Sequence, residues 1–325
     1  MPPVFTDPFL SMLPALLSAG RFSLPALITA AGDRARNRYV EFFAAEIRNP
    51  NTRAAYLHAV GQFLGWMAAL GVDLLEVAPL HVAAYIERLG KERSAPTVKQ
   101  HLAALRSLFD YLVVGQVMPV NPAAAVRGPK YSVREGKTPI LSAEETRRLF
   151  ARFDPALLSD IRDRAILGVM VYSFARVSAV IKLRVKDYQR QGMKAWLALD
   201  EKGGKHNRVP VHHQAIEYIE HYLQNSGLAE ARDTPLFRSL THRGTVLSDR
   251  ALRRENVYHM IQRRITDAGI GCHSFRGTGI TNFLENGGTL ETAARIAGHA
   301  STKTTQLYDR RNSAIDQGEI ERIRF

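Results

Sequence analysis

From Asn37 onward, apolar residues recur at the three- and four-residue steps of a helical face: Tyr39, Phe42, Phe43 and Ile47, until Asn49-Pro50 interrupts the run. Asn51 or Thr52 is placed to cap a second helix carrying Tyr56, Val60, Phe63, Leu64, Met67 and Leu70, which stops at Gly71. A third helix runs from Pro79 through Val82, Tyr85, Ile86 and Leu89 to Gly90. Ser94 and Pro96 start a fourth, with Val98, Leu102, Leu105, Phe109 and Leu112 on one side. Lys99, His101 and Arg106 fall off that side, whereas Tyr56, Tyr85 and Tyr111 lie on apolar faces and belong to the core. The pattern predicts an all-helical domain over 37–126, preceded over 1–36 by an arm rich in Pro, Ala and Leu with little period.

Between Pro119 and Pro139 the prolines and glycines exclude a regular helix, and Arg127, Lys130, Arg134 and Lys137 make the stretch basic; 127–138 reads as an inter-domain linker. Ser142 followed three residues later by Glu145 is a capping box that opens a second domain over 139–325. Helices are expected near 142–152 and 159–175. The alternating segment 195–199, a polar turn and Arg208-Val209-Pro210-Val211 then read as a β-hairpin. Helices resume at about 212–225, 248–268, 274–286 and 289–297. The predicted class is mainly α with a small β-sheet.

With 325 residues the chain can bury two cores, and 46% hydrophobic against 23% charged residues is a globular balance. The most apolar stretches fall short of the roughly 18 residues that span a bilayer, so no membrane partner is expected. The first residues lack a basic stretch before their apolar run, so no signal peptide is expected. A single cysteine, Cys272, can form neither an internal disulfide nor a multi-thiolate metal site, and points to a reducing cytoplasm. The formal net charge is +13 and both halves share the excess, with 15 basic and 10 acidic residues in 1–137 and 29 and 21 in 138–325. Either half is suited to a polyanion.

Four short segments carry candidate chemistry. They are Phe174-Ala175-Arg176-Val177-Ser178, Glu201-Lys202-Gly203-Gly204-Lys205, His273-Ser274-Phe275-Arg276-Gly277-Thr278, and Gly298-His299-Ala300-Ser301 followed by Tyr308, nine residues after His299. In this order the chain resembles the tyrosine recombinase family of phage integrases, Xer and Cre-like enzymes, over about 37–320. Each piece alone is weak, because an isolated arginine is usually solvated and an isolated tyrosine usually half-buried in a helix. The order and the nine-residue step are specific.

The resemblance implies a helical core-binding domain and an α/β catalytic domain closing as a C-shaped clamp on double-stranded DNA. It implies that Tyr308 attacks a phosphodiester to give a 3′-phosphotyrosyl intermediate and a free 5′ hydroxyl, without metal, ATP or other cofactor. Arg176 and Arg276 suit the phosphate because guanidinium forks match its oxygens, whose charge grows as the nucleophile adds. By resemblance His273 moves the tyrosine proton, His299 donates to the same phosphate, and Lys202 in the hairpin turn protonates the leaving oxygen, with Lys205 the competing lysine. Two departures stand out. Ala179 occupies a position where the family usually has an acid, for which Asp187 is the candidate substitute, and Gly277 stands where many members have His or Arg.

The helix over 96–114 is expected to face the major groove with Lys99, Gln100, Arg106 and His101, the alternative being that these are simply its solvated face. Arg127, Lys130 and Lys205 are further DNA-binding candidates. The resemblance further implies a homotetramer exchanging strands through a Holliday junction, with an accessory protein or a second recombinase as a possible added partner, in the cytoplasm and associated with the nucleoid. The tail after Tyr308 packs on a neighbouring subunit or folds back on its own chain. Two rival functions share these residues: a DNA-binding regulator that does not cut, and a type IB topoisomerase-like enzyme.

Overall fold

Asn49-Pro50, which breaks the first apolar run, also starts a helix of 20 residues. The Asn49 carboxamide oxygen accepts from the backbone N–H groups of Asn51 and Thr52 at 3.0 and 3.2 Å, and Pro50 fills the first helical position. The cap thus lies two residues before Asn51 and three before Thr52, the two expected positions. The structure, a computed structural model, describes residues 24–132, 136, 138–201, 204–241, 244–265 and 269–310. The chain divides into two compact units, Met1–Ser132 and Val133–Phe325.

The first unit contains α1 (Ala26–Ala30), α2 (Asp33–Glu41) running into a π-helical turn (Phe42–Glu46), α3 (Pro50–Ala69), α4 (Pro79–Glu92) and α5 (Ala95–Val114). Its core joins Phe42, Phe43, Phe63, Met67, Leu105 and Phe109, with Phe63 and Phe109 edge to face at 6.0 Å. One sequence expectation changes here. Residues 26–36 are not an arm, because Leu27, Ile28 and Ala35 are buried in this core. At the other end Met118, Ala123 and Val126 are buried against the helices, within the span expected for this domain.

In the second unit, Ser142 and Glu145 exchange the two bonds of the predicted capping box at 3.1 and 2.7 Å and start α6 (Ala143–Ala151). The helix α7 (Leu158–Tyr172) is buried at most of its positions and forms the unit's centre. After the short α8 (Val177–Val180), β1 (Tyr188–Gln191), β2 (Lys194–Glu201) and β3 (Lys205–Pro210) form an antiparallel sheet in the order β1-β2-β3, with Leu197 opposite Val209 and Glu201 opposite Lys205. The helix α9 (His213–Ser226) packs on α7.

A second hairpin follows, β4 (Arg238–Thr241) paired with β5 (Val246–Ala251), where sequence reading placed a helix from 248. That helix begins later, as α10 (Arg254–Arg264), because the Asn256 side chain accepts from the Arg253 N–H and sets its start. Arg264 on α10 bonds Asp160 and Asp163 on α7 at 2.7 and 2.8 Å, which ties the two helices together, and Arg162 of α7 bonds the same Asp163 at 2.6 Å. The unit ends with α11 (Cys272–Glu285), α12 (Leu290–Ile296) and α13 (Thr302–Gln306). Among the described residues no helix is long and apolar enough to cross a membrane.

Candidate active site

Four chain segments of the second unit meet around Arg276. It lies in the first turns of α11, is 2% exposed, and donates from Nη1 to the carbonyl of Phe174. From Nη2 it donates to the carbonyl of Ala297 at 2.6 Å and to Nε2 of His299 at 2.7 Å. Phe174 is buried at φ 53°, in the left-handed region that a bulky residue rarely occupies, so its carbonyl is aimed by a strained turn directly before Ala175-Arg176. Gly298 does the same work at the end of α12. Its φ of 62° reverses the chain, the His299 N–H returns to the Ala294 carbonyl at 2.9 Å, and the imidazole is brought to Arg276.

The ring of His299 runs from Arg276 to Tyr308. Arginine can only donate, so Nε2 accepts and the imidazole proton sits on Nδ1, 2.8 Å from the hydroxyl of Thr305. Thr305 is fully buried, and its carbonyl takes the N–H of Tyr308 at 2.9 Å. The His299 and Tyr308 rings lie 6.4 Å apart and 12° from parallel. On the other side the Thr281 hydroxyl donates to the Tyr308 carbonyl at 2.8 Å.

Charge around the two imidazoles is uniformly positive. Burial, then Arg276 and Arg176, lower the pKa of His299 to about 4. Burial also lowers that of His273, followed by Arg276, Arg176 and Arg254. Both rings are therefore neutral near pH 7. His273, the second residue of α11, keeps an exposed edge and makes no hydrogen bond among the described residues, so this neutral imidazole is open to accept a proton. Arg176, half-buried at the N-terminus of α8, completes the positive field, and its charge is felt at both histidines.

Arg176, His273, Arg276, His299 and Tyr308 thus come from distant parts of the sequence to one locality. Lys202 lies outside the described residues, and Lys205 sits in β3 opposite Glu201. Asp187 does not serve Arg176 in the way expected from Ala179: its carboxylate accepts from the Arg184 N–H at 2.8 Å and caps the turn before β1, while Ala179 is buried in the core. Of the expected DNA contacts, Lys99, Gln100, Arg127 and Lys130 are exposed. Two are not available as drawn from sequence. Arg106 donates to the carbonyls of Ala123 (3.1 Å) and Val126, and His101 is buried against the Tyr85 hydroxyl at 3.1 Å.

Sequence reading passed over the residues that hold the tyrosine segment. Their signal was present in α11, where Ser274, Thr278 and Thr281 recur at helical spacing and are all buried. All three hydroxyls are engaged, with Ser274 accepting from the Gly271 N–H, Thr278 accepting from the Leu141 N–H, and Thr281 donating at Tyr308. Arg254, at the start of α10, was also missed.

A helical unit followed by a mixed unit that gathers two arginines, two histidines and a tyrosine defines the class of DNA strand transferases using a tyrosine. The chain belongs to the phage integrase family: the phage integrase family model matches residues 139–314, and the phage integrase N-terminal SAM-like domain matches 37–115. Tyrosine recombinase XerC of Pelobacter propionicus is 31% identical over 264 residues, 80% of this chain and 84% of the relative. Tyrosine recombinase XerD of Vibrio cholerae is 30% identical over 268 residues, 79% and 85%. In fold, the chain is similar to the XerH site-specific recombinase bound to difH substrate before cleavage (TM-score 0.64, 16% identity, 90% of this chain and 83% of that one). It is also similar to a lambda integrase tetramer bound to a Holliday junction (TM-score 0.63, 17% identity, 93% and 86%).

Proposed function

We propose that this protein is a site-specific recombinase that cuts and rejoins double-stranded DNA through Tyr308. The single observation that carries the reading is the convergence of Tyr308 with His299, Arg276, Arg176 and His273. In the proposed step the Tyr308 oxygen bonds to phosphorus while the bond from phosphorus to the 5′ oxygen breaks. The phenolic proton passes to neutral His273, and the ammonium of Lys202 gives a proton to the departing 5′ oxygen. Arg176 and Arg276 hold the nonbridging oxygens. For Arg276 this means exchanging the Nε2 acceptor of His299 for an anionic phosphate oxygen, a stronger acceptor for a guanidinium. His299 then acts as a phosphate donor once its proton moves to Nε2.

By the same reading the helical domain and the catalytic domain close on a duplex. Lys99, Gln100, Arg127, Lys130 and Lys205 contact it, and four copies exchange strands within the nucleoid. The relatives' names and the DNA-bound neighbours support that assembly.

The test is formation of an SDS-stable protein–DNA adduct on nicked duplexes taken from DNA flanking the coding region. Wild type is expected to form it and Tyr308→Phe to bind DNA without forming it. Specific binding with no wild-type adduct would favour the regulator that does not cut. On a supercoiled plasmid carrying the same DNA, a ladder of relaxed topoisomers without exchanged junctions would favour the topoisomerase.

A further inference from the structure

Tyr308 is held on one side by a segment that the chemistry above does not use. The N–H of Gly136 donates to the carbonyl of Leu307 at 3.0 Å, one residue before the tyrosine. Two residues further along, the Thr138 carbonyl accepts from Nη2 of Arg310 at 2.7 Å, two residues after the tyrosine. Ile140 then borders, with the Tyr308 ring, the space beside Gly277, and the Leu141 N–H is fixed on the Thr278 hydroxyl of α11 at 2.9 Å. Gly136 and Thr138 therefore bond the chain on both sides of Tyr308, the main chain at Leu307 and the side chain at Arg310, and Leu141 anchors the segment to the helix that carries His273 and Arg276.

Two glycines make this fit possible. A methyl group on Gly136 would collide with the Leu307 carbonyl oxygen. A methyl group on Gly277 would lie 2.9 Å from Cγ2 of Ile140 and 3.2 and 3.3 Å from Cε1 and Cδ1 of Tyr308. The glycine at 277 thus has a local reason: the tyrosine ring and Ile140 occupy the space a side chain would need.

We propose that Gly136, Ile140 and Gly277 are positioning residues for the nucleophile, forming a strap and seat that fix where the Tyr308 hydroxyl is presented. The inference rests on the function proposed above. It acts through placement alone, since none of the three carries a group that can transfer a proton or bind a phosphate. In-line attack tolerates little misplacement, and a displacement of roughly 1 Å can slow a reaction about a hundredfold.

The experiment measures single-turnover adduct formation at saturating nicked duplex, with DNA affinity measured beside it. The variants of the full chain are Gly136→Ala, Gly277→Ala, Ile140→Ala and the double variant Gly277→Ala/Ile140→Ala. Gly136→Ala and Gly277→Ala should form adduct on the order of tenfold to a hundredfold more slowly with unchanged DNA affinity. The double variant should be faster than Gly277→Ala, because removing Ile140 Cγ2 reopens the seat. A merely structural role predicts the reverse, since two packing losses accumulate. Wild-type rates in both glycine variants, or a double variant no faster than Gly277→Ala, would overturn the inference. Should Gly136→Ala fail to fold, the Gly277 and Ile140 pair still decides. No adduct from wild type would instead remove the proposed function, and the inference with it.

Discussion

Arg276 and Arg176 share a proposed role, but their surroundings give them different sensitivities. Arg276 is buried and serves the carbonyls of Phe174 and Ala297, so Arg276→Ala should cost about 2–4 kcal/mol of stability, because it leaves buried acceptors unpaired. Its adduct rate should also fall by about a hundredfold or more. Arg176→Ala, at a half-exposed helix start, should lose the rate with a smaller fall in denaturation midpoint than Arg276→Ala. Denaturant melts beside single-turnover assays would separate the two. His299 gives a pH signature. Its ring binds a proton less readily in the folded protein, at about 4, than in the unfolded chain near 6.5. Its contribution to stability is full above about pH 6.5, declines as pH falls, and levels off below about 4, a loss on the order of 1–3 kcal/mol. A pH series of melts should show a shallower decline in His299→Gln than in wild type. The side chains that gather around Arg276 were picked out in the sequence by the order of short motifs that resemble the family. What the sequence withheld was their partners: that His299 accepts from Arg276 depends on the turns at Phe174 and Gly298, which only the folded chain brings together.

The helix α5 shows where reading by faces succeeds and where it stops. Its apolar positions were legible from the period, and Lys99 and Gln100 do point outward. Arg106 lies off the same stripe yet turns to the chain that follows, because the carbonyls of Ala123 and Val126 need donors where that segment covers the helices. Helical periodicity ranks a position by its angle on the helix and says nothing of a loop returning twenty residues later. Arg106→Ala should therefore destabilise the protein by about 1–3 kcal/mol, as buried carbonyls lose their donors. Lys99→Ala and Gln100→Ala should leave stability unchanged and weaken binding to DNA, with Lys99→Ala also lowering the salt dependence. A similar limit explains β5. Its residues follow the polar, glycine-containing turn after β4 and pair with that strand, so the register of a neighbouring strand overrode a pattern that read as helix. At the other extreme, the Ser142 and Glu145 box was fully legible because both partners lie within one turn. Ser142→Ala should cost about 1 kcal/mol by thermal melt.

At the scale of the molecule, two units were visible in the shift from an all-helical pattern to one containing a hairpin, whereas the first limit of the helical unit was not. Leu27 and Ile28 show that unit reaching ahead of its periodic stretch, because a core is closed by whatever chain covers it. In the second unit, Gly136 and Thr138 run beside Leu307 and Arg310, so the strand of chain that opens the described part of the unit lies against the strand that closes it. Its backbone is nearly a closed ring, and a ring can be opened elsewhere. A circular permutant joining Arg310 to Gly136 through a short linker, with new termini in the β1–β2 turn at Gly192 and Met193, should still melt cooperatively, since Met193 is 93% exposed and outside the core.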